Sequence, residues 1–328
     1  SLSNMKDRYL PNLHRLRERS ELLKNLRRFF DQRGFWEVQP PCLTTDCVID
    51  PYIDPLRVDA REFQLGSRQR EEFYFLQTSP EAAMKRMLAA GAPSIYSLGP
   101  VFRAGEQGQL HNLEFTMLEW YEVGADVEQG IAILGALACD ILKAEHFEVH
   151  SYRQLFRDHC GFDPIDEPLL KLVQYAGAID SSLVSSIAED RDGVLDLILS
   201  HVIQPKMGHD SPVIVRDYPL SQAALAKPSA QDKQCAARFE LFVAGVELAN
   251  GYDELRDPDV LLERFRTCNE KREKVGRRPL PLKSPLLEAM RVGIPQCAGV
   301  ALGVDRLLSV QIGENSISSV MPFTILNA

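Results

Sequence analysis

The sequence runs to 328 residues with 37 basic and 46 acidic side chains, a net charge of −9, which makes a long phosphate backbone an unfavourable partner. Seven cysteines are scattered without a CxxC pair, so the spacing excludes a zinc ribbon or redox dithiol and reads as reduced thiols of a cytosolic protein. The start has no signal-peptide pattern, and the longest apolar run, Ile131 to Ala138, is far too short for a bilayer, so a soluble cytoplasmic protein with no membrane partner is expected. A serine at position 1 reads as trimming or a vector remnant.

Leu13, Leu16, Leu22, Leu23, Leu26, Phe29 and Phe30 recur at helical spacing, and Gly34 closes that pattern, so an amphipathic helix opens the chain. Pro40 and Pro41 remove two backbone donors and mark a strand edge or turn. The runs Leu56 to Leu65, Phe73 to Gln77, Ser94 to Phe102 and Glu114 to Val123 read as strands of an antiparallel sheet. Thr78-Ser79-Pro80-Glu81 starts a helix with Pro80 in its first turn. From 127 to about 202 the pattern turns helical and carries no charged or aromatic cluster suggestive of chemistry, so it reads as an inserted support. Strands are expected again at Val213 to Arg216 and Arg238 to Tyr252, a helix from Pro258 to about Lys274, and a last helix near Gly303. Strand-rich halves flanking helices predict one α+β domain over residues 1–328, an antiparallel sheet flanked by helices, with no internal repeat.

Three segments carry candidate chemistry. In Gly299 to Arg306, GVALGVDR, two glycines and an Asp-Arg pair stand where a strand enters a helix, a pattern shared by phosphate sites and plain packing turns. Arg103 follows an apolar strand, where its planar fork suits a phosphate as well as a surface ion pair. His111 fits a second phosphate contact or a structural role, and Phe115 fits purine stacking or core. Glu240 and Glu247 lie seven apart, and Ala244-Gly245 offers a turn that would bring them together. Close carboxylates suit a Mg²⁺ carrying ATP phosphates, and two solvated glutamates on an edge hairpin suit the pattern equally. Glu119 and Tyr121 alternate onto one strand face, and with Glu254 they are hard to explain as core; an ammonium substrate would satisfy them.

Together these segments, in this order, resemble the three signature motifs of class II aminoacyl-tRNA synthetases over nearly the whole chain, and the lysyl-tRNA synthetase catalytic domain in particular. The resemblance implies that fold, ATP and Mg²⁺ as cofactors, and a homodimer with Pro41 at its interface. It implies Arg103 at the α-phosphate, His111 at the outer phosphates, Phe115 and Arg306 around adenine, and Glu106, Asn112 and Gly303 in the same ATP site. It further implies Glu240 and Glu247 as metal ligands, Glu81 facing the backbone amine, and Glu119, Tyr121 and Glu254 holding a lysine ammonium, with Asn250 and Tyr252 in the same pocket. Only a helix precedes the first motif here, so no anticodon-binding domain is expected and tRNA is an unlikely partner. That absence, and Ala301 where lysyl-tRNA synthetases have glycine, resemble the truncated relatives that attach (R)-β-lysine or lysine to elongation factor P. Three places depart from the usual pattern: Glu106 is displaced by one position, Leu113 replaces a proline, and Gln109 replaces a residue that is often basic. A lysine-activating paralogue charging a tRNA or small molecule, and a silent regulatory module on the same fold, are the competing readings.

Overall fold

The Asn12 side chain accepts the His14 backbone N–H at 2.9 Å and opens helix α1 (Leu13–Asp31), whose Leu22, Leu26, Phe29 and Phe30 are buried. The structure is a computed structural model that describes residues 10–328, and Ser1 lies outside the described residues. After Gly34, at φ 74°, come β1 (Trp36–Glu37) and β2 (Leu43–Thr44). β3 (Leu56–Asp59) is shorter than the run Leu56 to Leu65 suggests. The Asp59 carboxylate accepts the Arg61 N–H and starts a 3-10 turn over Ala60–Phe63. With β4 (Phe73–Leu76) these last strands form a separate three-stranded sheet in the order β2-β4-β3, not part of the main sheet as expected. Helix α2 (Glu81–Ala89) begins directly after Pro80, and β5 (Ile95–Phe102) and β6 (Glu114–Val123) pair antiparallel.

The chain folds as two compact units, one reaching to Ala125 and resuming over Leu255–Ala328, the other Asp126–Glu254. The sequence pattern reads instead as a single domain with an insertion at 127–202. The second unit starts with a capping box, Asp126 with Gln129, on α3 (Val127–Leu142). Next come β7 (Glu148–Ser151), α4 (Tyr152–Cys160), α5 (Leu169–Ile179), α6 (Ser181–Ile187) and α7 (Arg191–Ile198). β8 (Val213–Pro219), β9 (Cys235–Val243) and β10 (Val246–Asp253) complete it. β7 is a strand within the stretch expected to be helical, and it runs parallel to β8. Tyr152 packs on Phe156 and Tyr218 with ring centroids 4.7 and 4.8 Å apart, the centre of this unit's core.

The first unit resumes with α8 (Pro258–Lys274), α9 (Pro285–Val292), β11 (Cys297–Gly303) and α10 (Val304–Gln311). Its strands run in the order β1-β5-β6-β11, antiparallel except for the parallel β1–β5 pair, so the sheet is mixed where an antiparallel one is expected. A parallel neighbour needs a long crossover, and residues 38–94 between β1 and β5 supply it. One face of β5 and β6 packs on α1 through Phe30, whose ring centroid lies 4.9 Å from that of Tyr96 and 5.1 Å from that of Trp120. On the opposite face, Ile95 and Tyr121 pack against Met84 and Leu88 of α2.

Candidate active site

Strand register decides which side chains share the second face. Ser97 stands opposite Glu119 and Ile95 opposite Tyr121 on β5, while on β11 Ala301 stands opposite Glu119, Gly299 opposite Tyr121 and Gly303 opposite Met117. Directly opposed residues project to one side, so Glu119 and Tyr121 lie on a face whose β11 neighbours are glycine, alanine and glycine. Both are 2% exposed, and the Tyr121 hydroxyl donates to Glu119 Oε1 at 2.6 Å. The sequence places these two on one strand face, and the structure brings them into contact. On α2, buried Glu81 accepts a 2.6 Å hydrogen bond from the Lys85 ammonium, which lies 5.9 Å from the centroid of the Tyr121 ring. Lys85 was not among the sequence-predicted site residues; its spacing of four from Glu81 on a helix was the available signal.

The phosphate candidates gather around the turn between β5 and β6. The Arg103 N–H donates to the Leu113 carbonyl at 2.8 Å and extends the hairpin, while its guanidinium donates to the Thr78 carbonyl at 3.3 Å. That guanidinium also pairs with Glu106 at 3.7 Å and lies 5.2 Å from the Phe115 centroid. Arg306 reaches the same turn from α10, donating to the Leu110 carbonyl at 3.2 Å and to His111 Nε2 at 2.9 Å. Partial burial, then Arg306 and Arg103, push the His111 pKa down against the opposing pull of Glu106, so the imidazole is neutral and accepts from Arg306. Asn112 is buried, donating to the Glu114 carbonyl and accepting from the Ile325 N–H, so its amide braces the turn. The Asp-Arg pair of the third segment divides its labour in the same way. Asp305 is buried and accepts from Arg19 and from the Thr116 N–H, both at 2.7 Å, leaving Arg306 to project from a fixed helix start.

In the second unit β9 and β10 form a hairpin about Ala244-Gly245, both with positive φ, as a tight turn of this hand requires. Glu247 stands opposite Phe242, but after a bulge Asn250 stands opposite Glu240 and Tyr252 opposite Arg238. Without the bulge, Glu247 and Asn250 would point to opposite faces. With it, Glu247, Asn250 and Tyr252 share the face that carries Arg238 and Glu240. Glu240 is buried, accepts from the Tyr218 hydroxyl at 2.6 Å and forms a short ion pair with Arg238, which also donates to Asn250 Oδ1 at 3.2 Å. Burial opposes the Arg238 charge, and Glu240 together with Tyr252 and Tyr218 more than offsets it, so the guanidinium pKa is raised. The Asn250 amide donates to the Tyr252 hydroxyl at 2.9 Å, and buried Glu254 bridges to Ala226 at the end of the strand. Arg238 and Tyr218 were missed as supports of Glu240, although Arg238 lies within the segment that carries it.

A carboxylate that accepts two hydrogen bonds keeps lone-pair capacity for a third partner, so Glu240 with Glu247 offers the hard oxygen donors that Mg²⁺ takes. In the first unit an acid and a phenol thus stand beside small residues on one face, and two arginines gather at one turn. A family model described as tRNA synthetases class II (D, K and N) matches residues 6–327, and the chain belongs to that family. Among its relatives, the elongation factor P–(R)-beta-lysine ligase of Vibrio cholerae is 39% identical over 312 residues, 95% of each chain. Ligases of the same name from Pasteurella multocida and Yersinia enterocolitica are each 40% identical, covering 97% and 94% of both chains respectively.

Proposed function

We propose that this protein activates (R)-β-lysine, or lysine, with ATP as an aminoacyl adenylate and transfers it to a lysine side chain of elongation factor P. The observation that carries the reading is Ala301 directly opposite Glu119: one methyl group beside the acid that would hold the substrate ammonium. The names of three relatives that match along nearly their whole length support the acceptor.

In this reaction Arg103 binds the ATP α-phosphate, Arg306 and Phe115 enclose adenine with Glu106 and Gly303 beside it, and His111 faces the outer phosphates. Asn112 contributes by holding the turn that carries His111. Glu81 meets the backbone amine and Glu119 and Tyr121 hold the side-chain ammonium, and Glu254, Asn250 and Tyr252 are read as further substrate-binding residues. The substrate carboxylate attacks the α-phosphorus and pyrophosphate leaves; the acceptor amine then attacks the adenylate carbonyl, loses a proton and releases AMP. Fixed charges and orientation supply the rate, and no side chain forms a covalent bond. Glu240 and Glu247 would hold Mg²⁺, which supplies neutralising charge to the phosphates when bound.

The enzyme is read as cytoplasmic, where a translation factor is met, and among the described residues no helix is long and apolar enough to cross a membrane. A homodimer fits the exposed apolar side chains Trp36 and Leu43 flanking Pro41. The test is ATP–pyrophosphate exchange with (R)-β-lysine and α-lysine side by side, followed by the mass of elongation factor P after incubation with enzyme and ATP. Faster exchange with the β isomer and a gain of one lysyl mass are expected. No exchange with either isomer, or no mass gain, would sink the reading.

A further inference from the structure

Glu81 and Lys85 form a buried ion pair one helical turn apart, and its orientation is informative. The Lys85 side chain is 1% exposed and that of Glu81 12%, so the ammonium sits behind the carboxylate and the carboxylate is the member that meets an opening. Complete burial of a lysine is costly, and replacing such a pair by apolar residues is often neutral or favourable for stability. Packing does not call for it either, because α2 already supplies Met84 and Leu88 to the cluster around Ile95 and Tyr121. Lys85 engages Glu81 Oε1 at 2.6 Å, which fixes the carboxylate plane and leaves the second oxygen to meet a donor. The same ammonium lies over Tyr121, whose hydroxyl holds Glu119. Lys85 therefore stands between the two acids, Glu81 and Glu119, behind one and against the aromatic support of the other.

We infer that Lys85 is a positioning residue for the diamine substrate: its ammonium holds the Glu81 carboxylate in the orientation that receives the substrate amine. The inference rests on the function proposed above and adds to it a residue that never touches the substrate. Its loss is a loss of amine recognition, whereas Arg103 and Arg306 gather at the turn between β5 and β6.

The experiment is ATP–pyrophosphate exchange with (R)-β-lysine for the wild type, Lys85→Met, Lys85→Arg and Lys85→Met/Glu81→Gln, with thermal unfolding of each. Lys85→Met is expected to raise KM for (R)-β-lysine about 10-fold to 100-fold, as loss of a charged hydrogen-bonded contact does, while KM for ATP and kcat stay within about threefold. Lys85→Arg should recover part of the loss. The double variant should be no worse than Lys85→Met in KM, because a free Glu81 no longer presents its carboxylate. Should Lys85→Met fail to fold, Lys85→Arg carries the test: it keeps the buried charge but moves it, so KM for (R)-β-lysine should still exceed that of the wild type while KM for ATP holds. Unchanged KM for (R)-β-lysine in whichever variant folds, or equal rises in both KM values, would overturn the inference. Wild-type exchange distinguishes the two levels: its absence with either lysine isomer overturns the proposed function and this inference together, while normal wild-type exchange with an unaffected variant overturns the inference alone.

Discussion

The Arg103 guanidinium is held by the Thr78 carbonyl, by Glu106 and by the Phe115 ring, and it remains partly exposed, so its removal takes away the proposed phosphate ligand while leaving the core intact. Arg103→Ala should lower exchange about 100-fold or more, the scale of losing a preorganised charge donor, with the melting temperature within a few degrees of wild type. Substantial exchange in that variant would mean the arginine is misassigned. Ala301→Gly removes the methyl facing Glu119, and the ratio of exchange rates should move toward α-lysine by about 10-fold to 200-fold, the range a single methylene commands. An unchanged ratio would locate isomer choice elsewhere. Residues of this kind stand out in the sequence because chemistry alone makes them odd: an acid and a phenol at period two, an arginine after an apolar strand. Lys85 was not read, since a lysine in a helix next to a glutamate looks like surface, and only burial reveals it.

At the scale of elements, the hairpin of β9 and β10 was legible from Ala244-Gly245, but the bulge after Glu247 was not. Nothing in Val246 to Asn250 marks an extra residue, and the shift follows from pairing with β9. Likewise the strand expected over Leu56 to Leu65 gave way at Asp59 to a local cap, a competition between side-chain bonding and the ladder that sequence leaves undecided. The hairpin depends on a glycine outside it. Gly208 has φ 73°, its carbonyl accepts the Ala244 N–H at 2.7 Å, and a Cβ there would lie 2.6 Å from the Phe242 carbonyl oxygen and Val243 Cα. Backbone cannot yield as a flexible side chain does, so Gly208→Ala should cost about 3 kcal/mol or more from combined strain and overlap, seen as a lower midpoint in urea. Gly303→Ala is the contrasting case: its Cβ would meet only Arg306 side-chain atoms at 3.9 to 4.0 Å, ordinary contact. Stability should hold, while KM for ATP should rise if nucleotide lies against that strand end. A shifted midpoint with unaltered KM for ATP would assign Gly303 to packing.

For the whole molecule, the sequence made family and general architecture legible because its three motifs span most of the chain, but it did not disclose the division at Ala125 and Leu255, which follows from packing between distant segments. Assembly is the remaining property at this scale. β1 ends the strand order of the first unit, so among the described residues no strand pairs with its outer edge, and Trp36 on it is 62% exposed. Exposed edge strands and large apolar side chains together are features that folded chains normally cover. A second copy seated here would protect Trp36 and Leu43 around Pro41 and needs to bury about 1,200 to 2,000 Å² to be stable. Light scattering after size exclusion should then give a mass near twice the 36.9 kDa of one chain, and the melting temperature should rise with protein concentration, since association stabilises only the folded state. Trp36→Glu places a charge at the centre of that contact and should yield the single-chain mass with secondary structure unchanged. A wild-type protein that elutes with the mass of one chain at micromolar concentration contradicts the dimer, and a Trp36→Glu variant that stays dimeric moves the interface away from β1.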